Sequence, residues 1–138
     1  MAGETGAFGL SAIGQIAVAV KDLEKAVVFY RDILGMKLLF QAPPGLAFFD
    51  CGSVRLMLDR PEKPELDHPA SILYFKVGDI QQATAALRER GVRFEEEPHL
   101  IAKMPDHDLW LASFRDCENN LMALMSEVRS STARPHAE

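Results

Sequence analysis

The chain has 138 residues, 48% of them hydrophobic and 25% charged, with a formal net charge of −5. This is the size of one ordinary domain with a sizeable core, and no second domain fits beside it. The negative balance excludes nucleic acid as a partner, because phosphate binding needs a clustered basic face and the fifteen Lys and Arg are scattered. No apolar run approaches the roughly 18–20 residues that span a bilayer, and the N-terminus lacks the basic-then-apolar order of a signal peptide. A cytoplasmic location is expected, with Cys51 and Cys117 as reduced thiols rather than a disulfide.

In chain order, residues 1–11 are Gly- and Ala-rich without a period and read as a flexible arm. A single domain is expected over 12–127, with module one at 12–62 and module two at 70–127. Ile13 to Val20 is short, apolar and rich in β-branched residues, as a buried strand should be. Asp22 then caps a helix whose apolar stripe is Leu23, Ala26, Val27, Tyr30, Ile33 and Leu34, and Gly35 ends it. Three strands follow: Lys37 to Phe40, Leu46 to Asp50 after a Pro43-Pro44-Gly45 turn, and Val54 to Asp59 after Gly52-Ser53. Arg60 to Pro69, with three prolines and alternating charges, reads as a surface linker.

Ser71 to Gly91 then repeats the opening unit, with Val77 in the place of Val20 and Asp79 in the place of Asp22. Asp79 and Gln82 also have the spacing of a capping box. Each half reaches an Asp-Cys pair, Asp50-Cys51 and Asp116-Cys117, and a last apolar strand in which Met57 matches Ala123. The fold class is therefore α+β, built from two β-α-β-β-β modules. Between Gly91 and Asp116 module two is ten residues longer than module one between Gly35 and Asp50, and the excess, around PHLIAKMPDHDLW, is expected to form a lid. Residues 128–138 read as a flexible tail.

With these modules in hand, VAVKDLEKAVVFYRDILG, FKVGDI and FRDCENNLMALMSE resemble the vicinal oxygen chelate superfamily of glyoxalases, bleomycin-resistance proteins, fosfomycin-resistance transferases and extradiol dioxygenases. The resemblance implies mixed sheets curled around a cleft, a homodimer, and a divalent metal held by the first and last strands of each module. Those positions fall here at Gln15, Met57, Ile72 and Ala123. Only Gln15 offers an oxygen or nitrogen donor, so no metal or other cofactor is expected at that place.

Strand alternation sets Gln15, Met57, Ile72 and Ala123 beside Arg55, Asp59 and Tyr74 on an inward face with a greasy floor, as small-molecule sites are built. Arg55 and Asp59 form a rim ion pair, or Arg55 grips a substrate carboxylate in a two-pronged contact; Tyr74 is either a ligand-stacking group or a satisfied core tyrosine. The longer second-module segment brings His99, His107 and Trp110, with the histidines as candidate acid–base groups. Neither Cys51 nor Cys117 has a histidine nearby, and the acidic neighbours raise a thiol pKa, so both are expected to be inert. The run Glu95-Glu96-Glu97 reads as a solvated strand or turn.

Two functions follow from this reading. In the first, the protein captures a small, largely apolar organic molecule in a cleft shared by two subunits, without metal. In the second, it is a divergent lyase, isomerase or dioxygenase using His99, His107 and Asp59, with or without a relocated divalent metal.

Overall fold

Alternation along the strands decides which side of each sheet is buried, and it separates the faces in both modules. The computed structural model describes residues 8–62, 69 and 71–129. Strands β1 (Gln15–Ala19), β2 (Lys37–Ala42), β3 (Leu46–Cys51) and β4 (Val54–Asp59) form one sheet in the order β1-β4-β3-β2. Strands β5 (Leu73–Lys76), β6 (Phe94–Lys103), β7 (His107–Arg115) and β8 (Leu121–Arg129) repeat that order as β5-β8-β7-β6. In each sheet the first and last strands pair in parallel and the other neighbours antiparallel. The class is α+β with two mixed sheets, as the repeat predicts.

Val18, Leu56, Leu58 and Phe49 turn to the buried side of the first sheet, and Ala112, Phe114, Met122 and Leu124 to that of the second. All of them belong to one core, which also takes in residues of both helices. The second helix, α2 (Ile80–Glu89), starts where Asp79 Oδ1 accepts from the Gln82 backbone N–H at 3.0 Å. The first, α1 (Leu23–Val28), starts the same way: Asp22 Oδ1 accepts from the Lys25 N–H at 3.1 Å. Met122 is buried core filler, whereas Met57 is half-buried on the open side of its sheet.

Three features depart from the sequence expectations. The first helix does not stay α-helical to Gly35: Phe29–Ile33 is a π-helical turn, with the Leu34 N–H bonded to the Phe29 carbonyl at 2.9 Å. Module one is one residue longer between Val20 and Gly35 than module two between Val77 and Gly91, and a π-turn takes up one extra residue without breaking the helix. The wider turn lets the adjacent Phe29 and Tyr30 both pack inward, their rings 5.6 Å apart and edge-on. Second, the extra length of module two is not a lid over the site but the outer part of the long β6–β7 hairpin. Extension satisfies its backbone in a ladder, which a free loop would leave to water. Third, β8 pairs with β7 as far as Arg129, past the boundary expected at 127. Most of the expected arm, linker and tail, including His68 and His136, lies outside the described residues.

A buried carboxylate joins the modules. Asp116, 6% exposed, accepts from the Tyr30 hydroxyl at 2.7 Å, from the backbone N–H of Glu118 and of Asn120 at 2.8 Å each, and from the Asn120 amide at 3.0 Å. Burial first, and then the Asp116 charge, push the Tyr30 phenol far above its ordinary range, so it stays an O–H donor. Glu118 in the same turn accepts from the Lys21 and Asp22 N–H groups, each at 2.9 Å, at the start of α1. Replacing Tyr30 with Phe is expected to cost about 1.5–3 kcal/mol, the worth of a hydrogen bond to a charged group. Urea unfolding midpoints check this; an unchanged midpoint would mean that the pair adds nothing net.

Candidate functional site

The open face of each sheet carries the side chains out of phase with the core. On the first sheet the register aligns Gln15 with Arg55, and Ala17 with Met57, Phe48 and Phe40. Gln15 Nε2 donates to Met57 Sδ at 3.6 Å, and Gln15 Oε1 accepts from Arg55 Nε at 3.1 Å. The Arg55 guanidinium lies 5.0 Å from the Phe48 ring centroid, and Phe48 stacks on Phe40 with centroids 4.5 Å apart. Phe48 and Phe40 were missed from sequence because Phe48 and Phe49 are adjacent, and only the register tells which of them faces outward.

On the second sheet a hollow of about 420 Å³ is lined by Ile72, Tyr74, Leu111, Leu121 and Ala123 together with Glu95, Glu96, Ser113 and Arg115. Ile72 is 43% exposed and Tyr74 52%. Tyr74 is therefore not a core tyrosine, and its ring is open to a ligand. The Glu95-Glu96-Glu97 run is exposed on the edge strand β6, as expected, and each residue meets a different group: Glu95 meets Arg115 at 3.5 Å, Glu96 meets Ser113, and Glu97 pairs with Arg88. Following the parity of β7 back from Arg115 would have found Ser113 and Leu111.

Several expected neighbours do not come together. No first-sheet residue lines the 420 Å³ hollow, so Gln15 and Met57 meet on one open face while Ile72 and Ala123 meet on another. The reason is that the modules join through their core faces, α1 and the β7–β8 turn, rather than by closing their sheets around a common cleft. Arg55 and Asp59 do not form a rim pair. Four residues, about 13 Å of strand, separate them; Arg55 is held by Gln15, and Asp59 lies by a different hollow with Pro44, Gly45 and Arg60. Trp110 has the parity of Ala112 and Phe114 and packs against the core, beside Gly78 and Ile80, on the side away from Tyr74.

The two histidines do not converge either. His99 lies within β6 opposite Leu111, four residues along β7 from His107, which is about 13 Å of strand. His99 Nδ1 sits 2.8 Å from the Glu97 carbonyl, which can only accept, so Nδ1 is the donor of that bond. His107 Nδ1 meets Asp106 Oδ1 at 2.7 Å, which holds the Asp106 carboxyl below its usual range, and Arg129 meets the other oxygen at 3.6 Å. This is a clamp on the hairpin turn. Among the described residues no group of three or more His, Cys, Asp or Glu gathers as a metal would require, and no helix is long and apolar enough to cross a membrane.

Fold and open faces together define a two-module α+β domain in which each sheet keeps one open face. The chain belongs to the Glyoxalase/Bleomycin resistance protein/Dioxygenase superfamily, whose sequence profile matches residues 12–124. It is 32% identical over 126 residues to the uncharacterized protein YraH of Bacillus subtilis (strain 168), over 80% of this chain and 94% of that one. Among solved structures it is similar to TnmS3, an antibiotic binding protein from Streptomyces sp. CB03234, at 25% identity and TM-score 0.69, covering 87% of this chain and 98% of the other. A lactoylglutathione lyase from Agrobacterium tumefaciens shares the fold at 24% identity and TM-score 0.68, over 85% and 94% of the two chains.

The thiols behave as their neighbours dictate. Partial burial, and then Asp116 and Glu118, push Cys117 up to about 11, and burial with Asp50 raises Cys51. Iodoacetamide labelling of Cys117, mapped by mass spectrometry, is therefore expected to be slower at pH 8 than that of a free thiol, with a pKa of about 8.5. It should keep accelerating until about pH 11; a plateau below pH 9 would contradict this assignment.

Proposed function

We propose that this protein captures a small, largely apolar organic molecule without the divalent metal its superfamily commonly carries, and that it does so as a homodimer in the reducing cytoplasm. The observation that carries the reading is the state of Gln15, the one oxygen or nitrogen donor among the four positions expected to hold metal. Its carbonyl already accepts from Arg55 and its amide N–H points to Met57. A divalent ion at Gln15 would therefore stand beside a guanidinium. At a separation of about 5 Å and an effective dielectric of about 20, that repulsion is several kcal/mol. The thioether of Met57 is a soft ligand, and Ile72 and Ala123 have no donor, so nothing in the set offsets it.

Apolar capture fits the rest of the site. The 420 Å³ hollow has the size of a small-molecule pocket and a floor of Ile72, Leu111, Leu121 and Ala123. The similarity to an antibiotic binding protein supports the same class of function. Because the two open faces of one chain do not close on each other, a second copy is the natural cover, and the exposed Phe40, Ile72 and Tyr74 on those faces would be buried by it.

Native mass spectrometry of the untagged protein tests the reading. A dimer without metal, carrying organic mass, is expected; one metal per subunit would overturn it and return attention to His99 and His107. Once a ligand is in hand, Tyr74→Ala should weaken its capture roughly three- to tenfold, the worth of one aromatic contact beyond area. Gln15→Ala should leave the fold intact and weaken capture less.

A further inference from the structure

We propose that the hollow on the second sheet selects a protonated amine carried on an apolar or aromatic body. This rests on the reading above, that the open faces capture a small organic molecule, and adds the charge of that molecule. The register places Glu96, Ser113, Ala123 and Tyr74 on one rung that crosses the sheet from β6 to β5. Three strand spacings, about 14 Å, separate its ends. A carboxylate therefore stands at one end of an apolar floor and an exposed ring at the other.

The charges around the hollow leave that carboxylate unmatched. Arg115, the cation among the lining residues, pairs with Glu95 at 3.5 Å and donates to the Asn119 carbonyl at 3.1 Å. Lys76, on the same face, is drawn to Glu127 at 3.8 Å, and Arg88 to Glu97. Arg55, on the other open face, is held by Gln15. Glu96 itself accepts only a long hydrogen bond, 3.4 Å, from Ser113 Oγ, and no cation among the described residues pairs with it.

A ligand lying on the Leu111–Ala123–Leu121 floor strips water from Glu96. A neutral ligand leaves that charge without a partner and an anionic one repels it, whereas an ammonium group supplies a charge-assisted hydrogen bond where water is scarce. The body of the same ligand then reaches Tyr74, whose ring stacks on aromatic carbon. Discrimination by charge thus comes from one side chain, and affinity comes mostly from the floor.

The test is a calorimetric titration of the full chain with three probes of like size: naphthylethylammonium, naphthylethanol and naphthylacetate. The ammonium is expected to bind roughly tenfold or more tighter than the alcohol, and the acetate weakest. Glu96→Gln, at an exposed position, should bring the ammonium down to the alcohol, while Glu97→Gln, outside the hollow, should keep the preference. Binding of the alcohol without preference for the ammonium would overturn this proposal and leave the capture reading standing. Survival of the preference in Glu96→Gln would overturn it as well. Failure of all three probes to bind would count against both.

Discussion

The Asp116 carboxylate is the point on which the arrangement of the two modules turns. A buried carboxylate is costly unless its lone pairs are used, and here four donors use them: a phenol from module one and three N–H groups from its own turn. The turn closes around it through Asn119, which takes a left-handed backbone conformation (φ 68) of the kind asparagine tolerates. Glu118, one residue before Asn119, reaches the first N–H groups of α1. One short segment therefore orders the β7–β8 hairpin, tethers the start of the first helix and fixes Tyr30 in the core.

The repeat does not supply this device twice. Asp50 matches Asp116 in the other module, but the position matching Tyr30 on α2 is Leu87, which has no hydroxyl to give. Asp50 accordingly stays exposed, in register with Arg55 and Lys37. The modules are alike in topology and unlike in what holds them, and the seam they form, helix and turn rather than sheet against sheet, is why both open faces remain available. The two faces then diverge chemically. One gathers Gln15, Arg55 and stacked phenylalanines, and the other gathers Glu96, a tyrosine and an aliphatic floor.

Much of this was legible in the sequence because it rests on local periodicity. The caps at Asp22 and Asp79 and the three strands after each helix follow from spacing alone, whereas the phase that grouped Gln15, Met57, Ile72 and Ala123 came from the family resemblance. The family also followed from the repeat and its motifs. What could not be read depends on pairing between distant segments. The π-turn needed a comparison of helix lengths between the modules. The Tyr30–Asp116 contact spans 86 positions, and the hairpin replaced an expected lid because β6 and β7 find each other across a turn whose residues look like a polar loop. Trp110 was grouped with the expected lid, whereas as part of β7 it has the parity of Ala112 and Phe114 and packs against the core.

The placement of charge bears on what such a surface can discriminate. An apolar floor binds by area and hardly distinguishes one planar molecule from another, because burial is non-directional. Specificity must come from the few polar groups at the edge, and each of these is either satisfied within the chain or not. Arg55 and Arg115 are satisfied, the first by Gln15 and the Phe48 ring, the second by Glu95 and Asn119. A ligand that used either would have to break an existing contact, and would recover only the difference between the two. Glu96 has little to give up, since its bond from Ser113 is long. The group with the weakest internal partner is the one whose interaction with a ligand is least discounted, and this is why the proposal of an amine ligand rests on Glu96 at the β6 edge of the second sheet rather than on Arg55 or Arg115.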